Sequence, residues 1–149
     1  MVLAALVAVP LAACQPATEE VAIAPSGLTE RDIEVTTAAG QTHRFTVEVA
    51  ETREQQQRGL MYRESLAPDR GMIFPYDEPA VQSFWMRNTY IPLDIIYIRA
   101  DGTIATIHAN TLPMSETPYS SFEPVTTVLE IAGGRAAELG IAEGDSVRL

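Results

Sequence analysis

Two apolar segments flank Asp101-Gly102, and this pair constrains the fold more than any other feature of the chain. Asp-Gly is favoured in two-residue hairpin turns of type I′. Such a turn predicts that Ala100 faces Thr103, Ile98 faces Ala105, Ile96 faces Ile107 and Asp94 faces Ala109. One face of the hairpin then carries Asp94, Ile96, Ile98, Ala105, Ile107 and Ala109. The other carries Ile95, Tyr97, Arg99, Ile104, Thr106 and His108. The first face is apolar apart from Asp94.

Further strand signals surround it. Ile33–Thr36 alternates, Gly40 marks a turn, and Phe45, Val47 and Val49 share one side of His43–Val49. Together these segments predict a first hairpin. Thr52 with Gln55 three residues on has the form of a capping box, so Arg53–Arg58 is expected to be a short helix stopped by Gly59. Gly71–Phe74 reads as a buried strand ended by Pro75, and Val81–Met86 as another. Residues 109–124 contain three prolines and no period, and are expected to form a long loop. Val125–Ile131 returns as a strand, Gly134–Leu139 as a second short helix, and Val147–Leu149 closes the chain. About eight strands and two short helices point to a mostly β fold, an antiparallel β-sandwich or barrel-like (jelly-roll type) domain.

The first residues bear on compartment. Val2–Leu11 is almost wholly apolar and is followed by Leu11-Ala12-Ala13-Cys14. The run is too short for a membrane span but suits a signal-peptide core. The pattern resembles a bacterial lipobox, which implies cleavage before Cys14 and lipidation of that cysteine. Residues 1–13 are thus expected to be a signal peptide, residues 14–30 a lipidated, flexible tether, and residues 31–149 a single domain. No cation precedes the apolar run, so the true start is expected upstream. Gln15 after the cysteine favours the outer membrane by resemblance to the Gram-negative sorting rule. Cys14 is the only cysteine, which excludes an internal disulfide and a multi-cysteine metal site. No metal or cofactor is expected. The net charge of −10 argues against nucleic-acid partners. A membrane-anchored monomer is the expectation.

Several residues stand out chemically. Asp94 on an apolar face must be paired, hydrogen-bonded or protonated, because burying it alone costs several kcal/mol. It is either a structural clamp on the Asn88–Pro92 loop or a site carboxylate at the mouth of a cleft, with Arg58, Arg87 or backbone amides around Asn88 as partners. Phe84–Thr89 crowds two aromatics, a thioether, a cation and an amide into six residues. Alternation there sets Phe84 and Met86 on one side and Trp85 and Arg87 on the other. Trp85 beside Arg87 and Asn88 would suit a sugar or planar ligand; core packing is the competing reading. Glu130 shares a face with Val128 and is either a second inward carboxylate or a solvent-facing residue on an edge strand. His108 reads as a surface histidine. The methionines match no copper-binding spacing, and the serines of the long loop lack a nucleophile elbow.

With these residues in view, the chain resembles the domain of unknown function family 192. The matching segments are Arg58-Gly59-Leu60-Met61-Tyr62-Arg63, Gly71-Met72-Ile73-Phe74, Ser83–Thr89, Ile91–Ile96, Ser115–Tyr119, Val128-Leu129-Glu130, Gly140-Ile141 and Gly144-Asp145. The resemblance implies a compact, mostly β domain, commonly exported, and no established activity. Its motif positions here are Arg58, Met61, Trp85, Met86, Asn88, Asp94 and Glu130. The leading functional expectation is a non-catalytic module that binds a small polar or carbohydrate-like ligand through these residues. The alternatives are an envelope hydrolase using Asp94 or Glu130 as acid or base, and a protein-interaction module.

Overall fold

A computed structural model describes residues 24–149. The expected signal peptide, Cys14 and the first part of the tether lie outside the described residues. The chain runs β1 (Glu30–Thr36), β2 (Thr42–Val49), α1 (Arg53–Arg58), β3 (Arg70–Phe84), β4 (Leu93–Ile98), β5 (Ile104–His108), β6 (Tyr119–Ala132), α2 (Arg135–Leu139) and β7 (Ser146–Arg148). The strands form one curled sheet in the order β5-β4-β6-β3-β2-β1-β7, a half-barrel with two short helices. Its ends meet at the β4–β5 turn, where Val147 N–H donates to Gly102 O and Ile104 N–H to Asp145 O, both at 2.8 Å.

Every pairing is antiparallel except β2 with β3, where Thr46–Val49 runs parallel to Arg70–Ile73. The mostly β, barrel-like fold with two short helices is as expected, and this parallel pair is its one departure from antiparallel pairing. The segment from Ala50 to Asp69 crosses back over one face of the sheet, so the chain re-enters in its original direction. α1 lies on that crossover and has the expected cap. Thr52 Oγ1 accepts from Gln55 N–H at 3.2 Å and Gln55 Oε1 accepts from Thr52 N–H at 2.8 Å. Gly59 follows at φ 46°.

Two expected strands on either side of Pro75 are one long strand, β3. Its register against β6 shifts between Pro75 and Ala80, and such an irregularity tolerates a residue with no N–H. The expected loop 109–124 is likewise loop only to Pro118, because Tyr119–Pro124 pairs with the far end of β3. At the other end, Ala24–Thr29 is part of the fold and not tether. Ala24 is buried, Ser26 Oγ donates to Glu48, and Val49 N–H donates to Thr29 O.

The β4–β5 hairpin keeps the expected register at Ile96–Ile107 but departs at its tip, where Ile98 faces Ile104. A type I′ turn would need positive φ at Asp101 as well as at Gly102, and only Gly102 has it. Asp101 Oδ1 instead accepts from Thr103 N–H and Oγ1, so the turn holds one more residue and a bulge follows. The bulge swaps the faces of Ile104 and Ala105.

Both faces of the sheet centre are buried. The concave face carries Ile33, Val35, Phe45, Val47, Ile73, Ile96, Ile98, Leu129 and Ile131, closed by Ala136 and Ile141 around α2. The convex face of β3, β4 and β6 carries Met72, Phe74, Leu93, Ile95, Tyr97, Val125 and Val128, covered by Leu60 from the crossover and Met86 from the β3–β4 connection. The hairpin side expected to be mixed is therefore a second core.

Candidate functional site

A cleft of about 470 Å³ opens on the convex face, between α1 with its following turn and the outer half of β3. Alternation along β6 places Glu130 at its floor. Glu130 faces Ile95 on β4 and Met72 on β3, so it points to the convex side with Val128. β6 is a central strand, and Glu130 is only 4% exposed, which corrects the reading of a solvent-facing edge residue. No hydrogen-bond partner reaches its carboxyl among the described residues. Burial pushes its pKa up to about 8. Tyr76 stands on the same face of β3, two residues past Phe74. Burial, with Glu130 nearby, pushes its hydroxyl up to about 12. Tyr97 is shifted upward by the same two causes, and its hydroxyl donates to Tyr119 O at 2.6 Å.

Of the seven residues expected to form a site, Arg58, Met61, Trp85 and Glu130 line this cleft. Arg58 closes α1 at the rim, its guanidinium carbon 6.0 Å from the Tyr62 ring centre. Trp85 forms the opposite wall, 47% exposed, with the Arg87 guanidinium 5.5 Å over its ring. Phe84 lies beneath, edge-on to Phe74 at 5.0 Å and to Tyr97 at 6.1 Å. Arg53, Gln56, Gln57, Gln82, Ser83 and Thr89 add polar groups to the lining.

The other three residues serve elsewhere. Met86 is wholly buried and its sulfur accepts from Thr111 Oγ1 at 3.1 Å. Asn88 sits at φ 55°, its carbonyl accepting from Tyr62 N–H and its amide 4.0 Å from the Met61 sulfur, so it fixes the turn that carries Met61. Asp94 faces the concave side and does not line the cleft. It accepts three backbone N–H groups, from Asn110 at 2.7 Å, Gly134 at 2.8 Å and Ala136 at 2.7 Å. Gly134 has no side chain to cap α2, and Asp94 supplies that cap from across the sheet. It is a clamp, as the structural reading had it, but on Asn110 and α2 and not on the Asn88–Pro92 loop. His108 packs against Tyr97 and Tyr119, its Nε2 at 2.8 Å from Ser120 O.

The family model described as "Uncharacterized ACR" (DUF192) matches residues 34–149. The chain belongs to the DUF192 family. Two solved structures resemble this DUF192 domain closely. A Sinorhizobium meliloti protein, described as a candidate transcription regulator, is 45% identical with a TM-score of 0.80, covering 81% of this chain and 94% of its own. A Novosphingobium aromaticivorans protein of unknown function is 42% identical with a TM-score of 0.84, covering 93% of this chain and 100% of its own. No match is found among the curated proteins.

The DUF192 cleft thus offers one unpaired acid at its floor, an aromatic wall, and amide, hydroxyl and guanidinium donors at its rim. Sequence reasoning missed Arg53, Tyr76, Gln82 and Ser83. Met72, Phe74 and Tyr76 do follow a period of two, and that signal would have carried the strand past Pro75 and placed Tyr76 beside Glu130.

Proposed function

We propose that this domain is a binding module whose cleft takes a small polar ligand, carbohydrate-like in size, with one apolar face. Glu130 carries the reading. Its carboxyl has no hydrogen-bond partner among the described residues and keeps only slight exposure, to the cleft, and such groups concentrate where a ligand supplies the missing partner. The Trp85 and Phe84 rings offer an apolar platform, and Arg58 and Gln82 offer donors around it. Trp85 is the sole tryptophan, so its fluorescence reports on the cleft alone. Native mass spectrometry of gently purified protein should show a carried-through small molecule. Titration of short saccharides and organic acids should give a saturable Trp85 response that is lost in Glu130→Ala. A Trp85 signal that no small polar compound shifts would sink the reading.

A second reading keeps Glu130 as the acid or base of an envelope hydrolase, since a pKa near 8 permits proton exchange at working pH. Among the described residues the cleft lining holds no second carboxylate, which paired-acid glycoside hydrolysis requires. Asp94 is withdrawn from this role because three amides hold it on the other face. Turnover of envelope glycans or esters that disappears in Glu130→Gln would favour this reading.

The label of the Sinorhizobium meliloti relative invites a nucleic-acid role. A net charge of −10 disfavours one. For location, we read the domain as a monomer held on the periplasmic side of the envelope through lipid on Cys14. Cys14→Ser should move the protein from the membrane to the soluble fraction; unchanged membrane association would refute the anchor.

A further inference from the structure

We infer that the ligand of this cleft is an organic anion with an aromatic or apolar body, held at the rim by Arg53 and Arg58. The inference rests on the binding reading above and names its ligand class. The carrying observation is how the arginines are used. Arg44, Arg63, Arg70, Arg87, Arg99, Arg135 and Arg148 each pair with a glutamate. Arg31, Arg53 and Arg58 have no such partner among the described residues, and two of these three line the same cleft. The chain carries 20 acidic residues against 10 basic ones, so partners are not scarce. Two guanidinium groups without a carboxylate partner among the described residues thus meet at one rim of an acidic protein. Salt screens the acidic remainder beyond about 8–10 Å, so a bound anion senses the rim first.

The floor agrees with the rim. Glu130 is the one carboxyl in the lining. As a neutral acid it donates a hydrogen bond to an anion; as a carboxylate it repels one. Burial, which pushes its pKa to about 8, keeps it in the donating form at neutral pH. The titratable groups facing it are Tyr76 on β3 and Tyr97 on β4, both held neutral, with Arg53 and Arg58 of α1 on the rim. His108 on β5 is separated from it by Ile95 of β4. An anion therefore binds with the Glu130 proton retained, and affinity falls as that proton is lost. A cationic amine would reverse the sign.

Three probes with one ring and different heads test this: phenylacetate, phenylacetamide and phenethylamine, titrated by Trp85 fluorescence and calorimetry. Near pH 6.5 phenylacetate should bind roughly tenfold or more tightly than the amide, as charge-assisted hydrogen bonds to guanidinium require, and the amine more weakly still. Raising the pH to about 9 should weaken phenylacetate roughly tenfold and leave the amide nearly unchanged. The exposed double variant Arg53→Gln/Arg58→Gln should erase the preference for the acid, so that acid and amide bind with similar affinity. Glu130→Gln should bind phenylacetate with no pH dependence between those values. If the amide or amine binds as tightly as the acid, the anion inference falls and the binding reading stands. If none of the three produces heat or moves Trp85 at millimolar concentration, the anion inference falls, and the saccharide titration decides the binding reading separately.

Discussion

Asp94 and Glu130 lie on neighbouring strands, Asp94 opposite Ile131 and Glu130 opposite Ile95, and they point to opposite faces of one sheet. Both are buried, at 0% and 4% exposure. On the concave side, α2 and the turn after β5 aim three N–H groups at Asp94, so its charge is fully used in holding the end of the half-barrel. On the convex side, Glu130 lies between Met72 and Ile95 with Tyr76 and Tyr97 nearby, and no described residue donates a hydrogen bond to it. Burial alone therefore does not separate a structural acid from a site acid. What separates them is whether the fold supplies their partners.

The comparison has consequences of opposite sign. An acid whose folded pKa is raised holds its proton more tightly when folded. Its contribution is fully present below the unfolded value of 4.5 and is lost as pH rises from there through about 8. For Glu130 the loss across that window is on the order of 5 kcal/mol. Glu130→Gln has no proton to lose, so it should equal the parent near pH 4.5 and exceed it in stability by several kcal/mol at pH 8, read from urea midpoints. Parallel pH profiles of the two proteins would break the comparison. Asp94→Ala should act the other way, costing about 3–5 kcal/mol at neutral pH because three buried amides lose their acceptor. A cost under about 1 kcal/mol would mean that water replaces the carboxylate there. Thr52→Ala removes the cap of α1 and should cost about 1 kcal/mol, while loosening the helix that carries Arg53 and Arg58. Its signature is weaker cleft binding together with a melting point lowered by only a few degrees. Arg44→Ala, which removes an exposed pair with Glu34, should stay within about 0.5 kcal/mol and leave both faces untouched.

Much of this architecture was legible in the residues, and the gaps have physical reasons. The T-x-x-Q box identified α1 because capping is local chemistry. The hairpin register held at Ile96–Ile107 because apolar alternation sets it, and failed at the tip because the Asp101 side chain competed for the turn amides. The parallel pairing of β2 with β3 was not legible, since it depends on where the crossover lays the chain down. Glu130 was ambiguous because β6 is buried on both faces, and alternation then says nothing about exposure. The partners of Asp94 lie 16, 40 and 42 residues further along the chain, beyond the reach of any local pattern.

β1 and β7, the first and last described strands in chain order, are neighbours in the sheet, with Glu34 opposite Arg148 and an ion pair between the two side chains. They run antiparallel, so the outer ends of both emerge at the same edge. A pull applied between those ends would load the β1–β7 hydrogen bonds one after another, like a seam opened from its hem, and not all together. Mechanical stretching should therefore detach β7 at low force while the sheet centre stays whole.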